Sequence, residues 1–197
     1  MLVRCAWANQ SPSEQHYHDH EWGVPVHHDP TLFEFLILEG AQAGLRWSTI
    51  LNKRHDFRLA FDQFSVEHVA HYDKAKIDEL LCNTAIIRNR LKIRSAINNA
   101  QAFIKIQQEL GSFDDYIWQF VNHQTIQNHW KTAAEVPAQT ALSQTLSKDL
   151  KRRGFTFVGP TICYSFMQAT GMVNDHTRDC FRYSPVSKPQ LNTTKSY

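Results

Sequence analysis

The 197-residue chain reads as an all-α domain on three observations. Apolar side chains recur at helical spacing, the period-two alternation of strands is nearly missing, and residues suited to starting and stopping helices punctuate the chain. The length suffices for one apolar core, so a single helical domain over residues 1–183 is expected. The tail 184–197, rich in Ser, Thr, Pro and Asn, reads as disordered.

The first clear helix starts at Asp29-Pro30, with Asp29 as its N-cap and proline at the first helical position, and carries Leu32, Phe33, Leu36 and Ile37. It should end between Gly40 and Gly44. A second runs from about Ser48 to Ala60, and short helices begin near Ser65 and Asp73, each a suitable cap. The longest spans Arg88 to Leu110, with Leu91, Ala96, Ala100, Phe103 and Ile104 on a recurring face and Gly111 as its stop. Its first turns carry Arg88, Arg90, Lys92 and Arg94. Ser112 caps the next helix, where Asp115 suits the exposed amides and Tyr116, Trp118 and Phe120 supply bulk. The polar stretch Asn122 to Ala141, with Pro137, reads as a loop.

Between Leu142 and Gly171 the pattern is helix, tight turn, helix. Gly154 can end the first helix at positive φ, Gly159 allows close approach of a ligand to the backbone, and Pro160 fits the start of the second helix. Such a turn points free amides outward, where they can hold a DNA phosphate without reading sequence. Lys148, Lys151, Arg152 and Arg153 add positive charge around it. The same segment also fits an ordinary helix pair whose glycines only shape the turn.

Net charge of +2 and a pI near 8.4 are too mildly basic to identify a partner. The N-terminal residues lack a signal-peptide core, and the most apolar run, Leu32 to Leu38, is broken by Glu34 and too short to span a bilayer. A soluble, cytoplasmic protein without a membrane partner is therefore expected. Four scattered cysteines do not form a disulfide framework. Cys82 and Cys163, in apolar helical stretches, read as core thiols.

Cys5 and His18 near the start, and His176 and Cys180 near the end, form the set of two sulfurs and two imidazoles that suits tetrahedral zinc. Such a site has no open position and is structural. His176 and Cys180 would share one face if their segment were helical. The two halves lie far apart in sequence, and spacing alone leaves open that they are incidental. Asp19, Asp175 and Asp179 adjoin three of the four and offer acceptors for imidazole N–H groups.

Several stretches then occur in the order of one family: Arg4-Cys5-Ala6-Trp7, Tyr17-His18-Asp19-His20-Glu21-Trp22-Gly23-Val24-Pro25, Leu38-Glu39-Gly40-Ala41-Gln42-Ala43-Gly44-Leu45-Arg46-Trp47, Gly154-Phe155-Thr156-Phe157-Val158-Gly159, and Gly171-Met172-Val173-Asn174-Asp175-His176 with Cys180. Over residues 1 to about 181 the chain resembles the 3-methyladenine DNA glycosylase I family. The resemblance implies a helix-hairpin-helix glycosylase fold in which one structural zinc, held by Cys5, His18, His176 and Cys180, joins the chain's two ends. It also implies a double-stranded DNA substrate with alkylated bases and excision of N3-alkylated adenine by hydrolysis; no lyase step is expected, because no pocket lysine is apparent, and no obligate protein partner is expected.

The resemblance further makes Glu39 the carboxylate that recognises the extruded base, with Tyr17 and Trp47 as aromatic walls and Trp7 nearby. Asn174, expected among the substrate-binding residues with Tyr17, Trp47 and Trp7, stands where related hairpin glycosylases carry a catalytic Asp, which leaves that acid missing or displaced to Asp175. Gly44-Leu45 is the candidate for entering the gap left by the flipped nucleotide, and Lys151, Arg152, Gly154 and Gly159 are the hairpin's DNA contacts. Read without the family, Glu39 would be a solvated charge at a helix end, and Trp7, Tyr17 and Trp47 would be core. Two residues depart from the family pattern: Arg46 replaces a small hydroxyl residue, and Glu14 stands where a tyrosine is common at the pocket edge. Rival readings are a zinc hydrolase, which needs an open coordination position, and a DNA-binding module without chemistry.

Overall fold

A computed structural model describes residues 2–187, so most of the expected tail lies outside the described residues. The helices are α1 (Pro12–His20), α2 (Asp29–Gln42), α3 (Trp47–Ala60), α4 (Val66–Ala70), α5 (Lys74–Cys82), α6 (Arg90–Leu110), α7 (Phe113–Trp118), α8 (Ala141–Arg152), α9 (Pro160–Ala169) and α10 (Tyr183–Ser187). The last of these includes the first four residues of that tail. Among the described residues no helix is long and apolar enough to cross a membrane.

Most predicted stops and starts are realised by hydrogen bonds. Ser65, Asp73 and Ser112 accept from the amides of His68, Lys76 and Asp115, and Gly111 ends α6 at φ 93°. α6 starts at Arg90, two residues later than expected, with Asn89 as its cap accepting from Leu91 and Lys92. Asp29 is not an N-cap: it lies inside α2, and its carboxylate accepts from the amides of Phe113 and Asp114 and from Gln107 Nε2. One carboxylate thus satisfies the exposed N-terminal donors of α7 across the fold. Helix α1 was not foreseen, although Ser11-Pro12 followed by Glu14 is its start signal: the Glu14 amide donates to Ser11 Oγ at 3.2 Å, and Ser11 donates back to the Glu14 carboxylate at 2.9 Å.

α2 is the central post. Every residue from Leu32 to Ala41 is buried, as a helix enclosed on all sides requires, and α2 packs against α3, α6, α7 and α9. Its buried Glu34 is compensated by Arg54 and Arg58 of α3, and Arg54 also reaches Glu21. Three details differ from expectation. Leu91, placed by periodicity on the inner face of α6, is exposed at the helix start. Cys82 is exposed at the end of α5, whereas Cys163 is buried. The segment 122–140 is not wholly loop: β1 (Ile126–Gln127) pairs in parallel with β2 (Val173–Asn174), matching Ile126 to Val173 and Gln127 to Asn174. Two-residue strands are too short to leave a period in sequence.

The hairpin forms as expected. Gly154, at φ 95°, follows α8, Ser147 Oγ donates to the Val158 carbonyl at 2.6 Å, and Gly159 with Pro160 opens α9. Beyond α9 the chain turns at Gly171 with φ 71°, and a Cβ there would lie 2.4 Å from the Pro25 backbone nitrogen. Only glycine admits the Val24–Pro25 backbone so close. That contact brings the segment after α1 against the segment after α9.

Candidate active site and metal centre

α1 and the segment after β2 face each other, and between them Cys5, His18, His176 and Cys180 converge. All four are buried, and their ligand atoms lie within 4.8 Å of one another. Cys180 Sγ is 3.3 Å from His18 Nε2 and 3.5 Å from His176 Nδ1, which is also 3.6 Å from Cys5 Sγ. Zinc–sulfur and zinc–nitrogen bonds at a tetrahedral angle give S···N edges of about 3.5 Å, so the donor set fits a four-coordinate ion. Each histidine's other nitrogen is occupied. His18 Nδ1 meets Asp19 Oδ1 at 2.8 Å and His176 Nε2 meets the Trp22 carbonyl at 3.1 Å, which turns the unprotonated nitrogen of each ring toward the cluster.

The acceptor for His18 is itself fixed. Arg4 forks onto Asp19, and the hydrogen bonds from Arg4 hold that carboxyl down at about 2. Asp175 and Asp179 touch neither imidazole: Asp175 is engaged elsewhere and Asp179 is exposed. The 176–180 segment is a turn, closed by Cys180 N donating to the Thr177 carbonyl at 2.8 Å, so the His–Cys spacing reflects no helix face.

Beside the cluster lies a cavity of about 420 Å³. Cys5 and Thr177 belong to its lining, so the cluster forms part of its wall. Trp7, Tyr17, Trp47 and Glu39 line it too, together with Glu14, Gln42 and Asp175. Tyr17 bridges the aromatic side, with its ring centroid 5.4 Å from Trp47 and 6.3 Å from Trp7. Two donors in this wall, Tyr17 Oη and Trp47 Nε1, are buried without a hydrogen-bond partner. Buried polar atoms are paired in the great majority of cases, so orphans that flank a cavity mark a place for a polar ligand.

The carboxylates of the cavity differ sharply. Glu39 is 4% exposed, and burial pushes its carboxyl up to about 8. Asp175 is equally buried but accepts four donors: Asn128 Nδ2 at 2.7 Å and Trp130 Nε1 at 2.8 Å on one oxygen, Tyr164 Oη at 2.6 Å and Gln168 Nε2 at 2.7 Å on the other. Glu14 is buried at the rim and tied to Ser11. Asn174 is fully buried but is not part of the lining. It donates to Gln127 Oε1 and the Tyr183 carbonyl and accepts from the His176 amide, so it braces the segment that carries His176.

The expected DNA-facing residues lie on the surface. Gly44, at φ 79°, and Leu45, 36% exposed, form the turn between α2 and α3, and Arg46 is exposed beside them. Lys151 and Arg152 are exposed on the last turn of α8, where Arg152 and Arg153 both pair with Asp149. Gly154 is exposed, and no atom within 4 Å would meet a side chain at either Gly154 or Gly159. Residues the sequence reading did not select include Gln42, Gln168 and Thr177 of the lining and the donors Asn128, Trp130 and Tyr164. Gln42 lies within a family stretch but has no role assigned from it, and only the fold brings the others together.

A hairpin of this form, with a buried Cys/His cluster beside an aromatic cavity that holds a carboxylate, defines a helix-hairpin-helix protein of the base-excision class. The chain belongs to the methyladenine glycosylase family, whose model matches residues 7–183. It is 48% identical over 188 residues to the DNA-3-methyladenine glycosylase 1 of Escherichia coli (strain K12), covering 95% of this chain and all of that one. The DNA-3-methyladenine glycosylase of Haemophilus influenzae is 43% identical over 91% of this chain and 97% of its own length. Among solved structures, the 3-methyladenine DNA glycosylase I of Staphylococcus aureus, described for its recognition of 3-methyladenine, superposes with a TM-score of 0.89 at 37% identity, over 97% of this chain and 99% of the other.

Proposed function

We propose that this protein removes 3-methyladenine from double-stranded DNA by hydrolysing the N-glycosidic bond, leaving an abasic site, and that its Cys5–His18–His176–Cys180 cluster holds one structural zinc. The observation that carries the reading is the uncompensated Glu39 set between aromatic walls whose Tyr17 and Trp47 donors are unpaired. A base alkylated at N3 is cationic in DNA. Stacked on Tyr17 and Trp47, with Trp7 behind, it gains attraction to the ring faces and to a carboxylate.

With its carboxyl raised to about 8, Glu39 is mostly protonated near neutral pH when the cavity is empty. A cationic base entering beside it favours the ionised form, so the proton leaves as the lesion arrives. Unmodified adenine brings no charge and gives no such return, which makes Glu39 a selector as well as an orienting group. The C1′–N9 bond then breaks with its electron pair moving to N9, so the base departs neutral. Water bonds to C1′ and its proton passes to solvent. The charge already on the leaving group lessens the need for a strong acid, in keeping with the asparagine at 174. Asp175 is poorly suited to activate water, since four donors already fill its lone pairs.

In this reading Leu45 fills the gap left by the flipped nucleotide, and the hairpin at Gly154 and Gly159, with Lys151 and Arg152, holds the phosphate backbone. The test is release of 3-methyladenine from methylated double-stranded DNA. Wild-type protein should release it and Glu39→Gln should do so far more slowly; equal rates would remove Glu39 from its assigned role.

A further inference from the structure

The two expected DNA-contacting elements, the Gly44–Leu45 turn and the hairpin, are far apart in sequence, yet both are fastened to one helix. Lys92, Ser95 and Asn99 follow one another at three- and four-residue spacing, so they form a stripe along α6. At one end Lys92 Nζ donates to the carbonyls of Ala41 at 2.7 Å and Ala43 at 2.8 Å. These are terminal carbonyls of α2, where a cation is favourable, and they immediately precede Gly44. Gln42 adds a second hold, donating from Nε2 to the Leu45 carbonyl at 2.7 Å.

At the other end Asn99 clasps the hairpin. Its Oδ1 accepts from the Thr156 amide at 2.8 Å, and its Nδ2 donates to the Thr156 carbonyl at 3.0 Å, where Ser95 Oγ also reaches at 3.3 Å. Asn98, one residue along, donates to the Gly154 carbonyl. Between the two ends Gly40 of α2 faces Phe157 of the hairpin, whose Cβ a side chain at Gly40 would meet at 3.5 Å. Ser95 and Asn99 are 7% and 2% exposed, and an interior stripe of polar groups is costly unless its hydrogen bonds are made. Apart from a long contact of 3.5 Å from Asn99 Nδ2 to Ser95 Oγ, the bonds run to backbone of the two connected elements, which is what a spacer needs.

We propose that Lys92, Ser95 and Asn99 are positioning residues that fix the separation of the Leu45 turn from the hairpin. The seven residue steps from Lys92 to Asn99 correspond to about 10 Å of helix, or roughly three base-pair steps along a duplex. Leu45 then enters the stack in register with the phosphate held at Gly154–Gly159. This rests on the DNA-glycosylase reading above, and predicts that Lys92 acts through Leu45 and not through the base cavity.

The experiment compares single-turnover release of 3-methyladenine from duplex DNA with calorimetric binding of free 3-methyladenine. The proteins are wild type, Lys92→Met, Lys92→Arg, Leu45→Ala and the Lys92→Met/Leu45→Ala double variant. Lys92→Met should slow release about 10-fold while free-base affinity stays within about threefold, and Lys92→Arg should recover most of the rate, because a guanidinium can also serve two carbonyls. The double variant should be no slower than Leu45→Ala alone, since both changes remove one function. Multiplying rate losses, or a parallel loss of free-base binding, would overturn the proposal. Wild-type protein that releases no base overturns the parent function and this inference with it. Wild-type protein that excises while Lys92→Met matches its rate overturns the inference alone.

Discussion

The two sides of the cavity are built on opposite rules. On the side around β2, the polar groups that border the cavity and the cluster are answered: Asp175 takes four donors, Asn174 uses both ends of its amide, and each imidazole nitrogen of the Cys/His cluster has a partner. On the side formed by α1, α2 and α3, Glu39 is desolvated, and Tyr17 Oη and Trp47 Nε1 are orphans. α1 joins the two, because adjacent residues Tyr17 and His18 serve the cavity and the cluster respectively. A satisfied polar network fixes structure, whereas unsatisfied groups hold free energy that only a ligand can release. Substitutions on the first side should therefore cost stability. On the second side they should cost activity and leave stability equal or higher.

The largest effect belongs to the cluster. Cys180→Ser should abolish stoichiometric zinc and lower stability by more than about 4 kcal/mol, a fall in Tm of more than about 10 °C, because metal binding is coupled to folding. Calorimetry with metal analysis checks this. Full zinc occupancy in the variant would show that Cys180 is not a ligand. Chelation of wild-type protein should reproduce the loss, and zinc should restore it.

Next is Asp175→Asn. An amide presents two donors where Tyr164 and Gln168 also donate, so the network cannot close, and stability should fall by about 3 kcal/mol. Denaturant unfolding measures it. A loss of excision with unchanged stability would mean instead that Asp175 takes part in the reaction.

The satisfied side was also the harder one to read in sequence. Local signals carry the helices well: Ser65, Asp73, Ser112 and Gly111 act within four residues of themselves, so their roles are written beside them. Asp29 looks like a cap by the same rule, yet its carboxylate serves α7, a partner that no local pattern can name. Asp175 draws donors from 128, 130, 164 and 168, and β1 pairs with β2 over two residues, too few to show a period. Cys5, His18, His176 and Cys180 were legible as residue types, but their spacing was ambiguous because tertiary contact at Gly171 and Pro25, not a helix, aligns the halves. Glu39 was legible only through the resemblance. By itself an acid near a helix end is a solvated charge, and nothing local reveals that α2 is enclosed.

Glu39→Gln should move activity and stability in opposite directions. Excision should fall about 100-fold with the loss of a charge-assisted contact to the cationic base. Stability should rise by about 1 kcal/mol at pH 7, the relief of a desolvated carboxyl offset by an unpaired amide. The sign with pH follows from proton binding. The folded state keeps the Glu39 proton until about pH 8, while the unfolded chain loses it near 4.5, so the folded state binds more protons in between. Wild-type stability due to this group is therefore greatest below pH 4.5 and declines as pH rises toward 8, at up to about 1.4 kcal/mol per unit. The difference between wild type and variant across that window isolates Glu39, and a constant difference would contradict its burial as a raised carboxyl.

The smallest effect separates a ligand-facing hydroxyl from a merely packed ring. Tyr17→Phe keeps the ring against Trp47 and Trp7 and removes only an oxygen that no protein group answers. Stability should rise by about 1 kcal/mol, because a buried unsatisfied hydroxyl disappears without a cavity large enough to matter. Excision should slow by only a few-fold, as stacking survives and one hydrogen bond to the base is lost. A fall in stability would mean that the hydroxyl is satisfied in solution, and the contrast between the two walls would then rest on Glu39 and Trp47 alone.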